Sequence, residues 1–161
     1  MRFRPRYALI ALLALTALTL TACGGGKVKR VSEPAASIQQ LTVGNDGNWE
    51  VELRLRNYSS MPMRFDSVSL AVKVGDETAG TLSATPSLSI GPESADVIKV
   101  RLQPASTARI VVADSLAGGR SLFYELEGTI SATPEEKKQR SFEVKSRNSL
   151  NQAPGLPGVL R

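Results

Sequence analysis

From Trp49 the chain alternates. Trp49, Val51, Leu53 and Leu55 fall on one side of an extended segment, and Glu50, Glu52, Arg54 and Arg56 on the other. A period of two is the signature of a half-buried antiparallel strand, with one face on a core and one in water. The period returns from Phe65 to Val74, where Val68, Leu70, Val72 and Val74 point inward and Ser67, Ser69 and Lys73 outward. Phe65 is out of phase with that set, which predicts a bulge near Asp66. Ser37 to Val43 reads as a first strand, Thr78 to Ser83 as a weak edge strand, and Val97 to Leu102 as a strand with Ile98, Val100 and Leu102 on one face. Ser121 to Ala132 alternates again, with Leu122, Tyr124, Leu126 and Ile130 against Glu125, Glu127 and Thr129. A last strand spans Arg140 to Lys145, with Phe142 and Val144 inward.

Breaks in the pattern carry turn chemistry. Asn45-Asp46-Gly47-Asn48 tolerates positive φ and predicts a hairpin turn. Ser59, Ser60 and Pro62 interrupt residues 57–63, and Gly75-Asp76-Glu77 and Ile90-Gly91-Pro92 read as turns. The one helical candidate runs from Pro104 to Ala117. Ser106 or Thr107 would cap it, Gly118-Gly119 would end it, and Ile110, Val111 and Leu116 would face the core. About seven strands with one short helix imply an all-β, antiparallel sandwich. The domain spans residues 35–147, and the Pro/Gly-containing residues 148–161 are expected to be a disordered tail.

The first 22 residues have a different character. Arg2, Arg4 and Arg6 precede an uncharged stretch from Tyr7 to Ala22 that is rich in Ala and Leu. This is the basic and apolar succession of an export signal. The stretch falls short of the roughly 20 residues that a spanning helix needs. Its end, Leu20-Thr21-Ala22-Cys23, resembles the lipobox of bacterial lipoproteins, in which small residues fit the peptidase cleft and a cysteine thiol accepts a diacylglyceryl group as a thioether. Cleavage before Cys23 would free its amine for a further acyl chain, and two or three chains hold a protein on a bilayer far better than one. The competing reading is an uncleaved anchor with a bystander cysteine. The position of the sole cysteine, right at the end of the apolar run, favours lipidation. Gly24 follows where Asp would favour inner-membrane retention, so by the same resemblance the expected location is the outer membrane of the cell envelope, facing the periplasm. Residues 23–34 would then be a flexible tether, with Lys27, Lys29 and Arg30 near anionic head groups or simply solvated.

Composition narrows the chemistry. The net charge is +5, but three of the positive charges belong to the signal, so the remaining chain is close to balance and gives no case for a nucleic-acid partner. There is no histidine and a single cysteine, which excludes Cys/His zinc sites, internal disulfides and any dyad with a histidine base. The carboxylate pairs Glu50/Glu52 and Glu125/Glu127 lie on outward faces among Arg and Lys, so a solvated face with cross-strand ion pairs is favoured over acid–base work. The Asn45–Asn48 segment lacks the further oxygens of a calcium loop. Gly24-Gly25-Gly26-Lys27 follows no strand and has no Ser or Thr after the lysine, so it is not a phosphate loop. Trp49 reads as a core residue opening a strand. No cofactor is implied beyond the lipid on Cys23, and the chain reads as a non-enzyme.

Several features together resemble the late embryogenesis abundant type 2 proteins, also called WHy domains (water stress and hypersensitive response). A Val-Glu-Leu-Arg-Leu-Arg strand runs into Asn57, and Met61-Pro62-Met63-Arg64-Phe65 looks like the family's lead-in to its next strand. Gly80 falls where the family turns out of a strand pair. A helix ending in Gly-Gly precedes Leu122-Phe123-Tyr124-Glu125-Leu126-Glu127-Gly128, which is similar to the family's Tyr-x-Leu-x-Gly strand. The family's Asn-Pro-Asn is reduced to Asn57, with Tyr58 and Ser59 in place of the rest. A partner that reads this loop in other members would meet a different surface here. The resemblance implies an immunoglobulin- or fibronectin-like sandwich and a role in protection against desiccation, osmotic or cold stress, or in envelope maintenance. Its working surface would include Glu52, Arg54, Arg56 and Asn57. Two alternatives stand beside it: an interaction module of an outer-membrane assembly with an envelope protein as partner, and a carrier of lipid or another apolar ligand.

Replacing the thioether-forming sulfur should release the protein. Cys23→Ser is expected to abolish lipidation and membrane retention, read as loss of partition into detergent and loss of the lipid mass; a variant that still partitions like wild type would refute the lipobox reading.

Overall fold

The computed structural model describes residues 29–161. The proposed signal, Leu20, Thr21, Ala22 and Cys23 lie outside the described residues. Among those described, the order is β1 (Ala35–Val43), β2 (Trp49–Arg56), β3 (Met63–Val74), β4 (Glu77–Ala84), β5 (Leu88–Ile90), β6 (Ala95–Leu102), α1 (Ser106–Gly118), β7 (Leu122–Pro134), β8 (Arg140–Leu150) and β9 (Val159–Leu160). One sheet has the order β6-β2-β1-β9; the other runs β4-β3-β7-β8, with β5 also paired to β3. Every strand pairing is antiparallel.

The two sheets bury their inner faces on each other. Trp49, Val51, Leu53 and Leu55 of β2 are at most 1% exposed, and Leu70, Val72 and Val74 of β3 meet them with none. Leu122, Tyr124, Leu126 and Ile130 of β7 complete the same core. The expected alternation is thus seen strand by strand. So is the bulge: the register of β3 on β7 slips between Phe65 and Ser67, which lets Phe65 and Val68 both point inward. Asp66 sits at the slip, where its carboxylate accepts hydrogen bonds from Arg64 Nε (2.7 Å), Thr133 Oγ1 (2.6 Å) and Gln139 Nε2 (3.2 Å). Burial pushes the Asp66 carboxyl upward, and these hydrogen bonds outweigh it and hold the group below its ordinary pKa. A second irregularity, between Ile38 and Gln40 of β1, is met from across the sandwich. The Tyr124 hydroxyl accepts the Ile38 N–H at 2.9 Å and reaches the Ile38 carbonyl at 3.4 Å.

Gly128 explains a gap in the apolar stripe of β7. It lies opposite Leu70, and a Cβ built there would stand 2.2 Å from the Ser69 carbonyl oxygen, so only glycine permits this approach of β7 to β3.

The helix forms where expected; Val111 and Leu116 pack against the core as expected, but Ile110 does not, and the fully buried stripe is another one. Ala108, Val112 and Ser115 are buried, at the i, i+4, i+7 spacing of one stripe, whereas Ile110 is 68% exposed and Val111 and Leu116 are half-buried. Ile110 and Leu116 are six residues apart, which at about 100° per residue places them on different sides of the helix. Neither Ser106 nor Thr107 caps α1: the N-cap is Ala105, without a side-chain hydrogen bond. Its end does use glycine, with Gly119 left-handed at φ 60° while Arg120 N–H reaches the Ser115 carbonyl.

Four further expectations are corrected. Residues 148–161 are not a disordered tail. β8 continues to Leu150, and the chain returns so that β9 pairs with Leu41 and Thr42 of β1, burying Leu160 fully. The described part of the tether is docked, with Val31 against the core and Pro34 buried. Gly80 stands inside β4 at a register irregularity, not at a turn. The three-residue β5 lies where only a turn is read from the sequence, because so short a strand shows no period.

The faces of β2 predict opposite responses to substitution. Leu53→Ala should cost about 2–5 kcal/mol through lost burial and a cavity. Glu52→Ala, which leaves Glu50 as a partner for Lys99, should leave the midpoint of chemical denaturation within error of wild type. Equal destabilisation by both would show the faces to be wrongly assigned.

Candidate functional site

The residues of the expected working surface come from β2 and the loop after it. The pleat of β2 sends Glu52, Arg54 and Arg56 outward, and β6 supplies their neighbours: Glu52 lies opposite Lys99, Arg54 opposite Val97, and Arg56 opposite Ala95. Lys99 Nζ sits 3.1 Å from Glu50 Oε1 and 3.5 Å from Glu52 Oε1. Glu50 and then Glu52 hold the Lys99 ammonium above its ordinary pKa. The same arrangement recurs on the outer face of the other sheet, where Glu127 pairs with Lys145 at 3.2 Å and Glu125 with Arg147. Each carboxylate of the two candidate acid–base pairs is therefore held by a cross-strand cation. Strand register made the choice of Lys99 as bridge, and no sequence signal singled it out.

Where β2 ends, the surface turns aromatic and basic. The Arg56 guanidinium lies 4.8 Å from the centroid of the Tyr58 ring, which is 43% exposed. Arg30 approaches the same loop, with Nη2 at 3.5 Å from the Tyr58 carbonyl and 3.9 Å from Glu93. Lys29 pairs with Glu136 of the β7–β8 turn, which holds Lys29 above and Glu136 below their ordinary pKa values. The N-terminal segment is thereby fastened at this end of the sandwich. Ser32 N–H donates to Ser59 Oγ at 3.0 Å, and Arg30 and Ser60 bond reciprocally through their main chains and the Ser60 hydroxyl.

Asn57 is not part of any surface. It is fully buried, and its side-chain N–H groups point at the carbonyls of Met61 (2.8 Å), Ile90 (3.1 Å) and Gly91 (2.9 Å), while its Oδ1 accepts the Ser59 N–H at 2.8 Å. Its own N–H donates to the Ser94 carbonyl. The retained asparagine thus ties the β2–β3 crossover to the β5–β6 crossover. Tyr58 and Ser59, the substituted positions, hold Arg56 and the incoming N-terminal segment. The departure from Asn-Pro-Asn was read from the sequence only as a changed partner surface, and nothing in the sequence pointed to this second role.

The Asn45–Asn48 segment is a hairpin turn, in which Asp46 accepts from the Asn48 main chain (3.0 Å) and side chain (2.7 Å). Among the described residues, no group of three or more Cys, Asp or Glu side chains is placed to hold a metal ion.

Sheet order, a filled inner face and ion-paired outer faces define an all-β sandwich module. The family model described as late embryogenesis abundant protein matches residues 52–148, and the chain belongs to that family. AT1g01470 from Arabidopsis thaliana shares its fold, with a TM-score of 0.54 at 12% identity, covering 86% of this chain and 94% of that one. Two further solved structures are similar: At2g46140.1 (TM-score 0.49, 15% identity, 92% of this chain and 86% of that one) and a protein from Archaeoglobus fulgidus (TM-score 0.41, 15% identity, 77% and 100%). No curated protein matches the chain.

Removing the Asn57 side chain would orphan buried carbonyls, each at about 1–3 kcal/mol. Asn57→Ala should therefore cost at least about 2 kcal/mol in denaturant unfolding, while Tyr58→Ala, at the exposed neighbour, should stay within about 1 kcal/mol. Near-equal stability of Asn57→Ala and wild type would exclude the crossover role.

Proposed function

We propose that this chain is a non-catalytic, lipid-anchored envelope protein whose WHy-like sandwich protects against desiccation, osmotic or cold stress. The family match carries the stress reading. The anchor rests on Leu20-Thr21-Ala22-Cys23, which ends an uncharged run six residues before Lys29. Six residues reach at most about 20 Å. The fastened Lys29–Ser32 segment would therefore keep the Tyr58 end of the sandwich close to the bilayer, most plainly the periplasmic leaflet of an outer membrane. There Tyr58, with its apolar ring and polar tip, and the cations of Lys29 and Arg30 suit a head-group boundary.

The two outer faces supply the protective chemistry. Their Glu–Lys and Glu–Arg pairs are charged and hydrated, which suits weak and broad contact with other envelope components over tight capture of one substrate.

A strain lacking the gene should survive drying or osmotic shock less well than its parent. Wild-type protein should restore survival, and Cys23→Ser protein made to the same level should not. Equal survival of the deletion and parent strains across drying, osmotic and cold challenge would overturn the stress role; full rescue by Cys23→Ser would overturn the need for an anchor.

A further inference from the structure

One seam of the sandwich is open. β6 ends its sheet, with β2 on one side and, among the described residues, no strand on the other. The bond from Asn57 N–H to the Ser94 carbonyl fixes which backbone groups of β6 face β2. In an antiparallel ladder the hydrogen-bonded pairs alternate, and the β2–β6 register runs without a slip. Asp96, Ile98, Val100 and Leu102 therefore bond to β2, and the N–H and C=O groups of Ala95, Val97, Lys99 and Arg101 point to the open side. At Val97 the open N–H is met by the neighbouring Asp96 carboxylate at 2.8 Å, in the place where a partner strand's carbonyl would sit.

Beside this edge lies a notch of about 420 Å³, with Ala84, Pro86 and Leu88 on one wall and Val97, Ile98 and Lys99 on the other. Ile98 points inward but is only half-buried, as are Ala84 and Leu88, whereas Val100 and Leu102 of the same strand are 5% and 6% exposed. Farther along, the seam is shut: α1 packs on β4, and the Ala105 N–H bonds the Ala79 carbonyl. The opening is thus confined to one stretch of β6 and combines main-chain groups that β2 does not use with a recess in which Ala84, Pro86, Leu88, Val97 and Ile98 are apolar and Thr85, Asp96 and Lys99 polar. On the outer face next to it, Arg54, Arg56, Lys99 and Arg101 outnumber Glu50 and Glu52.

We propose that the open edge of β6 is a strand-addition site that takes an extended segment of a partner polypeptide, with apolar side chains alternating with acidic ones. Main-chain bonds to Ala95, Val97 and Lys99 give the segment its hold. Its inward side chains fill the notch over Ile98, and its outward carboxylates lie beside Lys99 and Arg101. Asp96 shields the edge while it is unoccupied, swinging aside to free the Val97 N–H and, as an anion, opposing acidic segments that arrive out of register. This site does not depend on the lipid anchor or the stress role.

The test uses the full chain in detergent micelles and a fluorescent, end-blocked peptide alternating Glu and Val. Anisotropy should report saturable binding, and amide exchange should slow at Ala95, Val97 and Lys99. A Lys/Val peptide should bind at least about ten-fold more weakly, as should a Glu/Val peptide N-methylated at alternate residues, which leaves the protein untouched. Val97→Pro deletes an N–H that β2 does not use and should weaken binding by about ten-fold or more with an unchanged unfolding midpoint. Asp96→Ala should tighten it. Protection mapping elsewhere, equal binding of the N-methylated peptide, or no binding of the Glu/Val peptide would overturn the proposal. A dimer that Val97→Pro dissolves, with no peptide bound, would also overturn it by assigning the edge to a second copy of this chain.

Discussion

A sandwich of two sheets needs its chain to change sheets, and each change exposes backbone that no ladder can satisfy. Asn57 resolves two of these changes at once. The segment from β2 to β3 and the segment from β5 to β6 pass each other at the same end of the molecule, and the Asn57 amide spans them through the carbonyls of Met61, Ile90 and Gly91. A carboxamide suits this place because it offers two donors and an acceptor on one short, rigid group. An aspartate would set a carboxylate against three carbonyl oxygens, and a serine would reach one of them. Buried polar groups need such closure, since each one left open costs more than its bond returns. Here no buried side-chain nitrogen or oxygen among the described residues lacks a partner.

With the crossovers fixed, the two seams of the sandwich become different. On one side β1 and β8 approach closely enough for Ser146 Oγ to bond the Ala36 carbonyl, and the Tyr124 hydroxyl closes the irregularity of β1 from within. β9 then extends the first sheet beyond β1. On the other side the helix covers only one end of the gap between β4 and β6. α1 spans about 20 Å at 1.5 Å per residue and leads the chain on to β7.

The charged outer faces add little to stability singly, because exposed ion pairs contribute about 0–1 kcal/mol in general. Their effect is on the surface the protein presents. Carboxylates and cations at facing ladder positions keep each face hydrated, and on the β2–β6 face, among the described residues, the unpaired Arg54 and Arg56 positions leave an excess of cations. A hydrated, charged surface over a filled core suits weak and broad contacts, and the β6 edge is one of the sheet ends where main-chain groups remain to be used.

The sequence by itself determined the faces of the long strands. In β2, β3 and β7 neighbouring side chains must point to opposite sides, so alternation identified the core of each, and the phase break at Phe65 located a bulge that the register then showed. It also located the Asn45–Asn48 turn and the glycine end of the helix, which depend on local backbone conformation. It did not determine the helix face. Apolar residues lie on more than one side of α1, and only its packing in the fold buried Ala108 and Val112 and left Ile110 exposed. Nor did it show that the C-terminal segment is ordered. Val159 and Leu160 are too few to form a pattern, and they are a strand only because Leu41 and Thr42 offer their free edge. Asn57 makes the point most sharply: its position was conspicuous in the chain, but its bonds reach carbonyls more than thirty residues away, and only the folded crossovers bring them within 3.1 Å.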